Sequence, residues 1–276
     1  MKNCDKARAK EIVNAAYNYL KEKTNNNEEI IKKHLKVPEK PNEMKDVFKR
    51  MIISSANRQM GKNVILGRTE KDGDEIGILK DVLFDFDHKK VLEHYRFKEK
   101  SLLSDAIKEL IKAGKIKEET KVRVNDNSLW PKFCNSILSS AKFLSKFKDI
   151  DDLIDWMNFF NKDSRSRVAL PMIISKEIEG FGFALACDFL KEIGYEGFGK
   201  PDVHIKEIFY GLKLSDSKED YFVFNDLVEF ANLAGKSPYY VDKLFWLCCT
   251  GNFHYDNIKV ETNRKDFIEF LKKENL

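Results

Sequence analysis

Residues 180–209 read GFGFALACDFLKEIGYEGFGKPDVHIKEIF. Two glycines, Gly180 and Gly182, stand one residue apart between stretches with helical spacing of apolar residues. Ile178 ends the first stretch, and Phe183 opens the second. A glycine-rich turn follows, and then Asp202 comes directly after Pro201. Glycine lets a backbone bend sharply and approach a ligand closely. Amides that open a helix point outward with the positive end of the helix dipole behind them, which suits a phosphate. Taken alone, the glycines also suit a tight turn between packed helices, and Asp202 suits an ordinary N-cap.

Outward from this stretch, almost the whole chain reads as helix. Apolar residues recur at helical spacing over 4–23, 43–57, 101–114, 128–147, 149–161, 167–178, 184–194, 203–212, 222–235, 239–251 and 264–274. Several of these segments stop at glycine, as helix C-termini often do. The alternation in ETKVRVND, residues 119–126, predicts a short strand. KTNNNEE and LGRTEKDGDEIG read as polar connectors. The fold class expected is therefore all-α.

The 276 residues are enough for one large core or two lobes. A net charge of +4 permits nucleic-acid binding without arguing for it. No apolar run is long enough to span a membrane. The first residues lack the apolar core and cleavage site of a secretory signal. Five unpatterned cysteines read as reduced thiols, so the expected location is the cytoplasm, on the nucleoid if the chain binds DNA, and the adjacent Cys248 and Cys249 read as small core residues. DFDH at 85–88 offers two carboxylates and a histidine with no partner cluster, so a solvated helix end is preferred to a metal site.

Taken together, IEGFG (178–182) and PDVHI (201–205) resemble the helix-hairpin-helix superfamily of DNA glycosylases, the relatives of endonuclease III and 8-oxoguanine glycosylase. That family carries an L-P-G-[VI]-G hairpin, a helix, and a V-D-x-H segment bearing the catalytic aspartate. Glu179 stands here where proline is usual. FKRMIISSANRQMGKNVI (48–65) resembles the family's early barrel helix, and YYVDKLFWLCCTGNF (239–253) its late helix.

The resemblance implies a two-lobed helical fold with a DNA-binding cleft between the lobes. A barrel domain would span 45–195, and a second domain would be built from 1–44 and 196–276. Asp202 would be the catalytic residue. Gly180, Phe181, Gly182 and Phe183 would hold a phosphate, and His204 would contact phosphate or brace the carboxylate. Asn57, with Arg58 beside it, would fill the space left by a flipped base.

Two departures bear on mechanism. Bifunctional relatives carry a lysine at the position of Ala184, eighteen residues before Asp202. Alanine cannot form a Schiff base, which implies a monofunctional enzyme using water. Lys200 and Lys191 are the nearby lysines that a displaced mechanism would use. No cysteines follow Cys249, so the iron–sulfur cluster of endonuclease III has no ligands. No cofactor and no metal is expected. The expected partner of a monomeric enzyme is duplex DNA bearing a damaged or modified base. The expected role is base-excision repair, or defence against phage DNA with hypermodified bases. The alternative is a DNA-binding module that keeps the hairpin without catalysis. The segment near 62–100 is longer than the family's minimum and would either shape a larger pocket or touch DNA, or stand idle.

Overall fold

The computed structural model describes residues 4–56, 76–96, 99–117, 128–274 and 276. The chain is mostly helical, with one two-stranded sheet among these residues. Its elements are α1 (Lys6–Lys23), α2 (Glu28–Leu35), α3 (Met44–Ala56), α4 (His88–Tyr95), α5 (Glu99–Lys112) and α6 (Leu129–Leu144). They continue with α7 (Ile150–Asn161), α8 (Ala169–Glu177), α9 (Phe183–Glu192), α10 (Val203–Gly211), α11 (Asp220–Ala234) and α12 (Pro238–Thr250). The strands β1 (Asn252–Phe253) and β2 (Ile258–Lys259) and helix α13 (Arg264–Lys273) close the order. Every helical stretch read from the sequence is present. The periodicity missed α2 and α4, each only eight residues long. The strand expected at 119–126 falls outside the described residues, as do Asn57 and Arg58.

The chain divides into two compact units. One comprises 40–162 and 169–189; the other comprises 1–39, 163–168 and 190–276. The division falls within α9, after Phe189, rather than at residue 195. The tail of α9 belongs with the second unit because Lys191 pairs there with Asp242 and Glu192 with Lys243.

In the first unit, α6 packs against α3, α4, α5 and α8. Its buried face is Phe133, Cys134, Ile137, Ala141 and Leu144, spaced three and four apart as one helix stripe requires. Pro131 sits in its first turn, where no backbone N–H is needed for the helix. Part of the 62–100 segment belongs to this core. Ile76, Leu79, Leu83, Phe86, Val91 and Tyr95 are all buried. Phe84, Asp85 and Phe86 take positive φ in succession, a conformation that residues with a β-carbon adopt at a cost. Asp87 then caps α4, accepting from the N–H groups of Lys89 and Lys90, so the DFDH run is a helix start.

In the second unit, α12 is central and packs against α1, α2, α10, α11 and α13. It is buried nearly all round through Tyr239, Val241, Leu244, Phe245, Leu247, Cys248 and Cys249. One buried charge, Asp242, interrupts this apolar helix. The β1–β2 hairpin returns the chain to α13 and pins α2. His34 Nδ1 lies 3.0 Å from the Ile30 carbonyl, and its Nε2 accepts from the Tyr255 N–H at 3.2 Å.

Candidate active site

The glycine hairpin lies in the first unit. Phe181 N–H donates to the Ile178 carbonyl at 3.0 Å, closing a four-residue turn. Gly180 occupies the third position with φ 79°, which a side chain would strain. Proline is favoured at the second position because it presets φ. Here that position is Glu179, and three hydrogen bonds from α6 hold it instead. Glu179 N–H donates to Ser139 Oγ at 2.9 Å, and Ser136 Oγ donates to the Glu179 carbonyl at 2.7 Å. Asn135 Nδ2 donates to the Glu179 side chain at 3.0 Å. Proline would lack the first of these donors. The departure from the family pattern is thus matched by a local replacement for the lost rigidity.

Gly180 and Gly182 are exposed, and a β-carbon at Gly182 would meet open space. Phe181 behaves otherwise. Its side chain is buried and its amide is consumed by the turn, so it is an anchor rather than a phosphate contact. The amides expected to hold phosphate reduce to those flanking it, at Gly180, Gly182 and Phe183.

Asp202 and His204 lie in the second unit, at the start of α10. Asp202 is half-buried and caps the helix through one oxygen. Oδ1 accepts from the N–H groups of His204 at 2.8 Å and Ile205 at 3.1 Å. Oδ2 takes no part in the cap. His204 therefore braces the carboxylate through its backbone amide rather than its ring. Burial pushes the imidazole pKa down; Asp202 pulls it up, and Arg264 opposes it. The shift favours the neutral ring, whose buried Nδ1 has no hydrogen-bond partner. Beside them, burial pushes the Cys249 thiol up to about 12, Asp202 adding to the shift and Arg264 opposing it. Cys249 is an inert packing residue, and all five cysteines are free.

The loop before Asp202 is tied down residue by residue. Tyr239 N–H donates to the Glu196 carbonyl at 3.0 Å, and Arg167 reaches the Gly197 carbonyl at 3.4 Å. Phe198 is fully buried against Phe224. Lys200 N–H donates to Asp242 Oδ2 at 3.0 Å. Asp202 N–H donates to the Lys200 carbonyl at 2.7 Å, closing a tight turn over Pro201, whose fixed φ suits it. The same Asp242 Oδ2 is 2.6 Å from Lys191 Nζ, and both residues are buried. Burial pushes the Asp242 carboxyl pKa up, and the Lys191 ammonium counters it. Lys191 is therefore engaged in an ion pair rather than poised as an amine nucleophile.

The sequence reading missed Asp242, Arg264 and Gly199. Asp242 had a signal, since a carboxylate in an apolar helix demands a buried partner. Arg264 had none, because its proximity to Asp202 arises only from how α13 packs on α10. Among the described residues no group of His, Cys, Asp and Glu could hold a metal ion, and no helix is long and apolar enough to cross a membrane. Comparison with protein-family models, with characterised proteins and with solved structures returns no match.

Proposed function

We propose that this chain is a monofunctional DNA glycosylase that extrudes a damaged or modified base and hydrolyses its N-glycosidic bond. The observation that carries the reading is the division of labour at Asp202, where one oxygen caps α10 and the other is left out of the cap. Base release leaves positive charge on the sugar ring. A fixed, half-buried carboxylate stabilises that charge where it develops and can orient or deprotonate the attacking water. Extrusion is required because a stacked base cannot enter a pocket. In this reading the amides around Gly180 and Gly182 hold a phosphate, and Asn57 and Arg58 enter the duplex. Ala184 and the engaged Lys191 both favour water over an amine as nucleophile. Abasic DNA is the product, in repair or in antiviral defence.

The test is a panel of duplexes, each with one modified base, incubated with the protein and then cleaved by alkali. Excision of at least one base by the parent, absent from Asp202→Asn, supports the reading. A protein that binds duplex DNA but releases no base from any member is the non-catalytic module instead.

A further inference from the structure

We propose that Lys191 and Asp242 are positioning residues that set the catalytic carboxylate through the backbone of Lys200, an inference that rests on the reading of Asp202 above. Asp242 is 1% exposed and Lys191 5%. From their contact an unbroken path of hydrogen bonds leads to the site. Asp242 Oδ2 accepts from Lys200 N–H at 3.0 Å, the Lys200 carbonyl accepts from Asp202 N–H at 2.7 Å, and Asp202 Oδ1 accepts from α10. Each link fixes the next, so a displacement at Asp242 is transmitted to Asp202 within two residues.

Packing supports the same path. Gly199 lies so close to α12 and α11 that a β-carbon there would sit 2.6 Å from Leu227 Cδ2, 3.0 Å from the Pro238 carbonyl oxygen and 3.1 Å from Asp242 Cβ. The loop is pressed onto the residue that receives its hydrogen bond. Stability alone gives little reason for this arrangement. Replacing a buried ion pair by well-packed apolar residues is often neutral or stabilising. Leu227, which lies against Gly199 beside the pair, is already apolar and fully buried. What an apolar pair could not provide is an acceptor for Lys200 N–H.

Two double variants separate the acceptor from the charge. Lys191→Met with Asp242→Asn removes both charges and keeps a carbonyl oxygen facing Lys200. Lys191→Met with Asp242→Leu removes the acceptor as well. Single-turnover excision on the substrate found in the panel, duplex affinity, thermal melting and amide hydrogen exchange at Lys200 are measured on each. The Asn variant is expected to excise within about threefold of the parent. The Leu variant is expected to stay folded while melting somewhat below the parent, as an unpaired Lys200 N–H requires, and to bind duplex equally, yet to excise roughly ten- to a hundredfold more slowly, the scale for a small misplacement of a catalytic group. Its Lys200 amide is expected to exchange at least about tenfold faster once its buried acceptor is lost.

A folded Leu variant that excises at the parent rate overturns the proposal, as does an equal loss in both double variants. If the Leu variant does not fold, Gly199→Ala makes the same test by lifting the loop while leaving the pair intact; parent-like excision there refutes it. If the parent itself excises nothing, the glycosylase reading fails. Lys200 exchange then still decides whether the pair holds the loop, an unchanged rate in the Leu variant refuting it.

Discussion

Replacing Asp202 by Asn separates helix capping from chemistry, because both cap bonds end on a single oxygen. The amides of His204 and Ile205 lie 2.8 and 3.1 Å from Oδ1. An Asn carbonyl oxygen in the same place accepts both, and Asn caps about as well as Asp. What remains is the loss of negative charge at the positive end of α10, about 0.3–1 kcal/mol. For a protein of this size that shifts melting by ~2–4 °C at most. Asp202→Ala loses both bonds as well, for a further ~1 kcal/mol, so Ala confounds folding with function.

If the carboxylate stabilises an oxocarbenium-like state and activates water, the Asn variant loses about a hundred- to ten-thousandfold in single-turnover excision. Duplex affinity should hold or tighten, since removing a carboxylate near phosphate removes repulsion. Melting, duplex affinity and excision are measured on one preparation. An Asn variant that folds, binds and excises near the parent rate makes Asp202 a helix cap and nothing more, and the mechanism falls.

Borohydride is expected to trap no covalent adduct with abasic DNA, because Ala184 supplies no amine and Lys191 is paired with Asp242; an adduct lost on Lys200→Gln would show a displaced lyase. Duplex affinity should fall steeply between low and moderate salt, as binding through phosphates requires, and a flat profile counts against the proposed DNA binding. Ser136→Ala and Ser139→Ala each remove a bond to the Glu179 backbone and should cost about 1 kcal/mol in urea unfolding, with weaker duplex binding if the hairpin holds phosphate. Burial depresses the pKa of His34 and His88, so the unfolded chain takes up protons first. Stability is complete above about pH 6.5 and declines below it, by up to ~1.4 kcal/mol per pH unit for each histidine, until the folded pKa is reached. His88 Nε2 has no hydrogen-bond partner, so His88→Leu should flatten that decline; an unchanged melting curve from pH 8 to 5.5 refutes it.

The helical character was legible because amphipathic stripes of ten or more residues carry their period in the sequence. Helices α2 and α4 were not, since eight residues hold barely two turns of a stripe. Their starts were nonetheless marked, by Asn27 and Asp87, whose side chains cap them. The cap at Asp202 was legible for the same reason: it is a local bond between residues two and three apart. The bonds that fix the loop behind it were not, because Lys200 meets Asp242 forty-two residues away, and pairing at that range is decided by how α12 packs. Phe181 shows the opposite error. A motif placed it among phosphate contacts, whereas an aromatic side chain beside two glycines has a core to enter, and the turn consumes its amide.

Asp side chains cap several helices of this chain, Asp5, Asp87 and Asp149 among them. Capping therefore cannot by itself single out Asp202. The difference lies behind the cap. For Asp87 and Asp149 the anchoring is local, from a turn and from neighbours within four residues. At Asp202 the preceding loop is fixed by α12, by Arg167 and by a buried ion pair, with a glycine where a β-carbon would force its neighbours to shift. A helix start needs only its capping oxygen, and Asn or Ser would supply one. That surplus of order at one helix start is the physical ground for seeking chemistry at Asp202 before any other capped helix in the chain.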